Sequence, residues 1–97
     1  MTITPFDAMK EVLRLRNAVK AVIERGRRHG QKMDYAQMQD IYIALTSLLN
    51  DVISDNRVKR PINKEIFWIR LERMGATEFD GPPPMDHQVN TWLSVTT

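Results

Sequence analysis

Two apolar stripes at helical spacing dominate the first half of the chain. Ala8, Val12, Leu15, Val19 and Val22 recur at alternating steps of four and three, flanked by Met9, Leu13 and Ile23, with charged side chains between them. That period puts one apolar stripe on a helix and predicts a first helix over about residues 5–29. Thr4-Pro5-Phe6-Asp7 reads as its start. Thr4 can cap, Pro5 suits a first turn whose N–H groups have no helical partner, and Asp7 can complete a capping box. Gly30 is a natural stop, and the arginines before it complement the negative end of the helix dipole. Asp34 and Gln37 repeat the starting grammar, with Met33 and Met38 placed as a hydrophobic staple. Met38, Ile41, Leu45, Leu48 and Val52 then form a second stripe, widened by Tyr42, Leu49 and Ile53, which predicts a helix over about 34–55. Two matched stripes joined by a short link predict an antiparallel helical hairpin.

Arg57-Val58-Lys59-Arg60-Pro61 interrupts the pattern. Ile62 to Met74 then reads as a third, shorter helix closed by Gly75 and apolar on most sides, as expected of a helix packed across the hairpin. Gly81-Pro82-Pro83-Pro84 is an extended break. Beyond it Val89, Thr91, Leu93 and Val95 alternate with Asn90, Trp92, Ser94 and Thr96, which suits a half-buried strand over 89–95, with Thr77-Glu78-Phe79 as its local pairing partner. The expected fold is therefore mainly α, in a single domain over 1–97. It is an antiparallel two-helix hairpin with a third shorter helix packed across it and a C-terminal extended strand or small β-hairpin.

Composition narrows the functional classes. At 97 residues, 42% of them hydrophobic and 27% charged, the chain can build one modest core with little room for a buried substrate cavity. With no cysteine there is no disulfide, thiolate nucleophile or zinc-thiolate site, and a reducing cytoplasm is the expected compartment. The amino terminus lacks the basic start and apolar run of a signal peptide, and no segment approaches the roughly 18 apolar residues of a membrane span. His29 and His87 each lack a second histidine or carboxylate at the spacing a metal or acid–base site needs. Glycine-rich phosphate loops, nucleophile elbows and closely paired carboxylates are likewise missing from the sequence. The chain is expected to have no catalytic residues, no metal ligands and no cofactor.

Charge is segregated along the chain. Residues 1–32 carry eight basic and three acidic side chains, residues 33–56 none and four, residues 57–74 six and two, and residues 75–97 none and three. Arg25, Arg27, Arg28 and Lys32, together with Arg57, Lys59 and Arg60, could neutralise the phosphates of a nucleic acid. Equally, the basic first helix could pair with the acidic second, whose Asp51 and Asp55 sit badly at a helix C-terminus unless neutralised. An antiparallel hairpin sets the two basic clusters about 30–37 Å apart, at ~1.5 Å per residue, so they do not form one compact patch. The last third, with an aromatic and basic helix followed by an expected hairpin, resembles the recognition helix and wing of a winged-helix domain. That resemblance implies Lys64, Arg70 and Arg73 facing a nucleic-acid groove. It departs from the family pattern in having no short helix joined to Ile62 by a tight turn.

The aromatic residues carry the sharpest expectation. Phe67 and Trp68 are adjacent and so point about 100° apart on a helix. Phe67, Leu71 and Met74 share the face that docks on the hairpin, which leaves Trp68 exposed among Lys64, Glu65 and Glu72. An exposed tryptophan with arginines nearby is the usual anchor of a protein interface, here expected to comprise Trp68, Arg70, Arg73, Lys64 and Trp92. The expected function is a non-enzymatic small binding protein, an adaptor, assembly factor or inhibitor of a larger complex, with a protein partner and homodimerisation allowed. Small basic chains of this kind are common among phage and mobile-element accessory proteins. The alternative is a nucleic-acid-binding regulator using clusters 25–32 and 57–60. For stability, Leu45 in mid-stripe is expected to matter and Arg16, on the charged face, to contribute under about 0.5 kcal/mol.

Overall fold

Both long helices form, and each starts on the cap residue its sequence provides. In the computed structural model, which describes residues 1–94, α1 spans Pro5–Arg28 and α2 spans Tyr35–Arg57. The Thr4 hydroxyl accepts from the Asp7 backbone N–H at 3.1 Å, and the Asp34 carboxylate from that of Gln37 at 2.9 Å. Each bond satisfies one of the N–H groups that a helix leaves without a partner in its first turn. Contacts between the helices run antiparallel: Tyr35 lies against Gly26 near the turn, and Thr46 meets Arg16 midway. Between them sits the core predicted from the two stripes. Met9, Val12, Leu13, Leu15 and Val19 of α1 are buried with Leu45, Leu48, Leu49 and Val52 of α2.

The far end of the hairpin is closed by strand pairing that the hydrophobic pattern does not announce. β1 (Thr2–Ile3) pairs antiparallel with β2 (Ile62–Asn63), placing Thr2 opposite Asn63 and Ile3 opposite Ile62. The third helix accordingly starts two residues later than its apolar pattern suggests. α3 spans Lys64–Arg73, with the Asn63 side chain accepting from the Ile66 N–H at 3.0 Å. Phe67 and Leu71 enter the core, Gly75 ends the helix at φ 78°, and Ala76–Glu78 form a 3₁₀ turn that buries Ala76. A left-handed residue at this position favours glycine, which has no Cβ to clash.

The C-terminal strand expectation is overturned. Asp86–Ser94 form a helix, α4, while Thr77 and Glu78 lie in the 3₁₀ turn and Phe79 follows it, so no β-hairpin forms among the described residues; Val95 lies outside them. Val89, Trp92 and Leu93 stand at helical steps of three and four, and in so short a segment alternation and helical period select overlapping residues. What decides is the surface available. A lone strand would leave its backbone groups unpaired, whereas a helix satisfies them internally and can dock on α1. Val89 is buried, and the Asn17 and Gln88 amides bond reciprocally at 2.9 and 3.1 Å. Arg14 reaches both Glu11 and Asp80, and Gly81 lies so close to α1 that a Cβ there would stand 3.1 Å from Ala18 Cβ. Helix α1 is thus covered by α2 and by the C-terminal segment.

Arg16 is the second correction. Its guanidinium lies 4.6 Å from the centre of the Tyr42 ring and 5.2 Å from that of Trp92, and its Nε donates to the Thr46 hydroxyl at 2.9 Å. It joins α1, α2 and α4 rather than pointing to solvent. A hydrogen bond and two cation–π contacts put the expected cost of Arg16→Ala at about 1–2 kcal/mol, to be read from chemical denaturation. A cost below a few tenths would show that α4 does not depend on this contact.

Candidate interaction surface

Exposed large apolar side chains stand singly at Phe6, Ile43, Val58 and Met85, whereas α3 carries three of them together. Of this ten-residue helix, Phe67 is 3% exposed and Leu71 fully buried, while Ile66, Trp68 and Ile69 keep 60%, 44% and 44% of their surface in solvent. The division follows from angle. Phe67 and Leu71 lie one turn apart on the inward face, whereas Trp68 and Ile69 are rotated by about 100° and 200° from Phe67. The adjacent Phe-Trp pair therefore divides as its spacing predicts.

Trp68 stands between two open grooves. On one side Met1, Lys64, Glu65, Trp68 and Ile69 line a depression of about 530 Å³. On the other, Ile3, Asp7, Glu11, Lys64, Phe67 and Trp68 line a smaller one against the start of α1. Strand pairing creates the first. The β1–β2 bridge is extended by the Lys64 N–H donating to the Met1 carbonyl at 3.1 Å, and the Met1 ammonium lies 3.8 Å from the Glu65 carboxylate. The sequence pattern does not mark Met1, Ile66 and Ile69 as surface residues. Ile66 and Ile69 fit the apolar pattern of a helix buried on most sides, and two-residue strands leave no periodic signal for placing Met1 beside Trp68.

The remaining expected interface residues are dispersed around this face. Arg70 donates to Asp51 of α2 at 3.0 Å, tying α3 to the hairpin, and Arg73 is exposed at the end of α3. Lys64 lines both grooves. Trp92 is elsewhere, half-buried on α4 beneath Arg16.

The acidic end of α2 is neutralised by its C-terminal neighbours and not by α1. Asp51 pairs with Arg70 and Asp55 with Arg60 at 3.5 Å, and among the described residues no ion pair joins α1 to α2. At the opposite end of the hairpin Arg25, Arg27, Arg28 and Lys32 surround the α1–α2 turn without a carboxylate partner among the described residues; Arg57 and Lys59 are similarly exposed at the end of α2. Beside the core, the hydrogen bond from Arg14 to Glu11, reinforced by Asp80, holds that guanidinium charged above its ordinary range.

Among the described residues no cluster of three His, Asp or Glu side chains could hold a metal ion, and no helix is long and apolar enough to cross a membrane. No protein-family model, curated protein or solved structure matches the chain.

Proposed function

We propose that this chain is a non-enzymatic binding protein, an adaptor, assembly factor or inhibitor of a larger complex, that docks a protein partner on the outward face of α3. The carrying observation is that α3 leaves Ile66, Trp68 and Ile69 in solvent beside the exposed Met1. Covering such side chains releases about 25 cal/mol per Å² of apolar area, so a complementary surface gains what the fold itself leaves unused. Arg70, already held by Asp51, and Arg73 supply a polar rim around an aromatic anchor, the arrangement typical of binding hot spots.

The reading predicts where a partner touches. A photo-crosslinking side chain at Ile69 should capture a defined protein from the native host, whereas one at Ala21, exposed on α1, should not. Equal adducts from both positions would remove the preference for α3.

The alternative, a nucleic-acid-binding regulator on winged-helix lines, is weakened by α4 in place of the wing and by the use of Arg70 on Asp51. What favours nucleic acid is a different feature, the exposed cations at the α1–α2 turn.

A further inference from the structure

We infer that the α1–α2 turn is a second binding surface, separate from α3, that holds the phosphate backbone of a nucleic acid through Arg25, Arg27, Arg28 and Lys32. All four are exposed and none has a carboxylate partner among the described residues. Elsewhere among the described residues Lys10, Arg14, Arg60 and Arg70 each have one, Arg16 is engaged by Thr46 and two rings, Lys20, Lys64 and Arg73 stand singly, and Arg57 and Lys59 form only a pair, so the turn carries the largest group of unpaired cations. Only Glu24 and Asp34 oppose them locally in the sequence. The C-terminus of α1 adds roughly half a negative charge, which four full positive charges outweigh.

The turn is also braced. The Tyr35 hydroxyl donates to the Gln31 carbonyl at 2.7 Å, and the Gln31 N–H donates to the Gly26 carbonyl at 2.9 Å. Gly26 makes this approach possible, because a Cβ there would stand 2.9 Å from the Tyr35 hydroxyl and 2.7 Å from the Met33 methyl. Arg27 lies over the Tyr35 ring at 5.5 Å, which holds its guanidinium at the turn. Cations on a braced scaffold lose less freedom on meeting phosphates than cations on a loose tail.

Place completes the inference. Trp68 lines the same groove as Asp7 and Glu11, near the start of α1. Glu11 and Arg25 stand fourteen positions apart on α1, roughly 20 Å at ~1.5 Å per residue. A nucleic acid at the turn and a protein on α3 can therefore be held together.

Fluorescence anisotropy on the full chain, with a labelled mixed-sequence DNA duplex and an RNA single strand, tests this. Four phosphate contacts predict that log affinity for the duplex falls with log salt at a slope of about −3 to −4. Reversing Arg25, Arg28 and Lys32 to glutamate should lower affinity at least ~100-fold at low salt and bring the slope to about −1 or shallower. Circular dichroism should show the variant folded, and Trp68→Ala should bind as the parent does. Stronger binding of the duplex or of the RNA assigns the nucleic acid and supports the inference either way. No binding at low salt, a folded reversal variant that binds equally well, or attachment only to vesicles containing phosphatidylserine would overturn it.

Discussion

Replacing Phe67 with alanine should remove about 3–5 kcal/mol of stability, the largest single effect expected. The ring is 3% exposed and belongs to the core cluster of the α1–α2 pair. Truncating it opens a cavity that the braced start of α3 cannot collapse into, because Asn63 caps the helix and β2 is paired to β1. Against a total of roughly 5–15 kcal/mol for a domain of this size, such a loss is a large fraction. The adjacent Trp68 keeps 44% of its surface in solvent, so Trp68→Ala forfeits far less, about 1–2 kcal/mol. Urea denaturation of the two variants distinguishes them. Equal losses would mean that Trp68 is as structural as Phe67, and the case for α3 as a docking surface would lose its anchor.

Leu45→Ala carries the second large effect, about 2–4 kcal/mol. Leu45 is fully buried at the centre of α2, and Leu48 and Leu49 on the following turn are buried with it. Helix α1 opposite it is held from its other side by the Asn17–Gln88 amide pair and the Gly81 approach, which limits collapse into the space. The denaturant midpoint should fall while its slope stays unchanged, because the surface exposed on unfolding is nearly the same. A cost under about 1 kcal/mol would contradict the packing of the hairpin.

What could be read from the residues was whatever a periodic or capping signal encodes. Thr4 and Asp34 start helices because their short polar side chains accept from N–H groups three residues on, a purely local device. The two long stripes persist over several turns and so separate helix from strand without help from the rest of the fold. The opposite fates of Phe67 and Trp68 follow from one angle. The misses share the opposite character. Residues 86–94 are too few for period to settle, and docking on α1 decides in favour of helix. The two-residue strands exist only because the start of the chain meets residues about sixty positions away. Nothing local shows that Tyr42 and Trp92 converge on Arg16, so its sequence position marks it only as a charge on the polar face. Likewise the partners of Asp51 and Asp55 come from α3 and its linker and not from α1, a choice set by tertiary placement.

The central claim is that the outward face of α3 is there to be covered by another protein and is not needed to hold the fold. Partner capture from the native host, quantified for the parent chain, Trp68→Ala and Ile69→Ala at a temperature where circular dichroism shows all three folded, tests it most directly. The account predicts that each substitution lowers capture at least ~10-fold, as loss of more than about 1.4 kcal/mol of interface energy requires. Undiminished capture by both folded variants would contradict it.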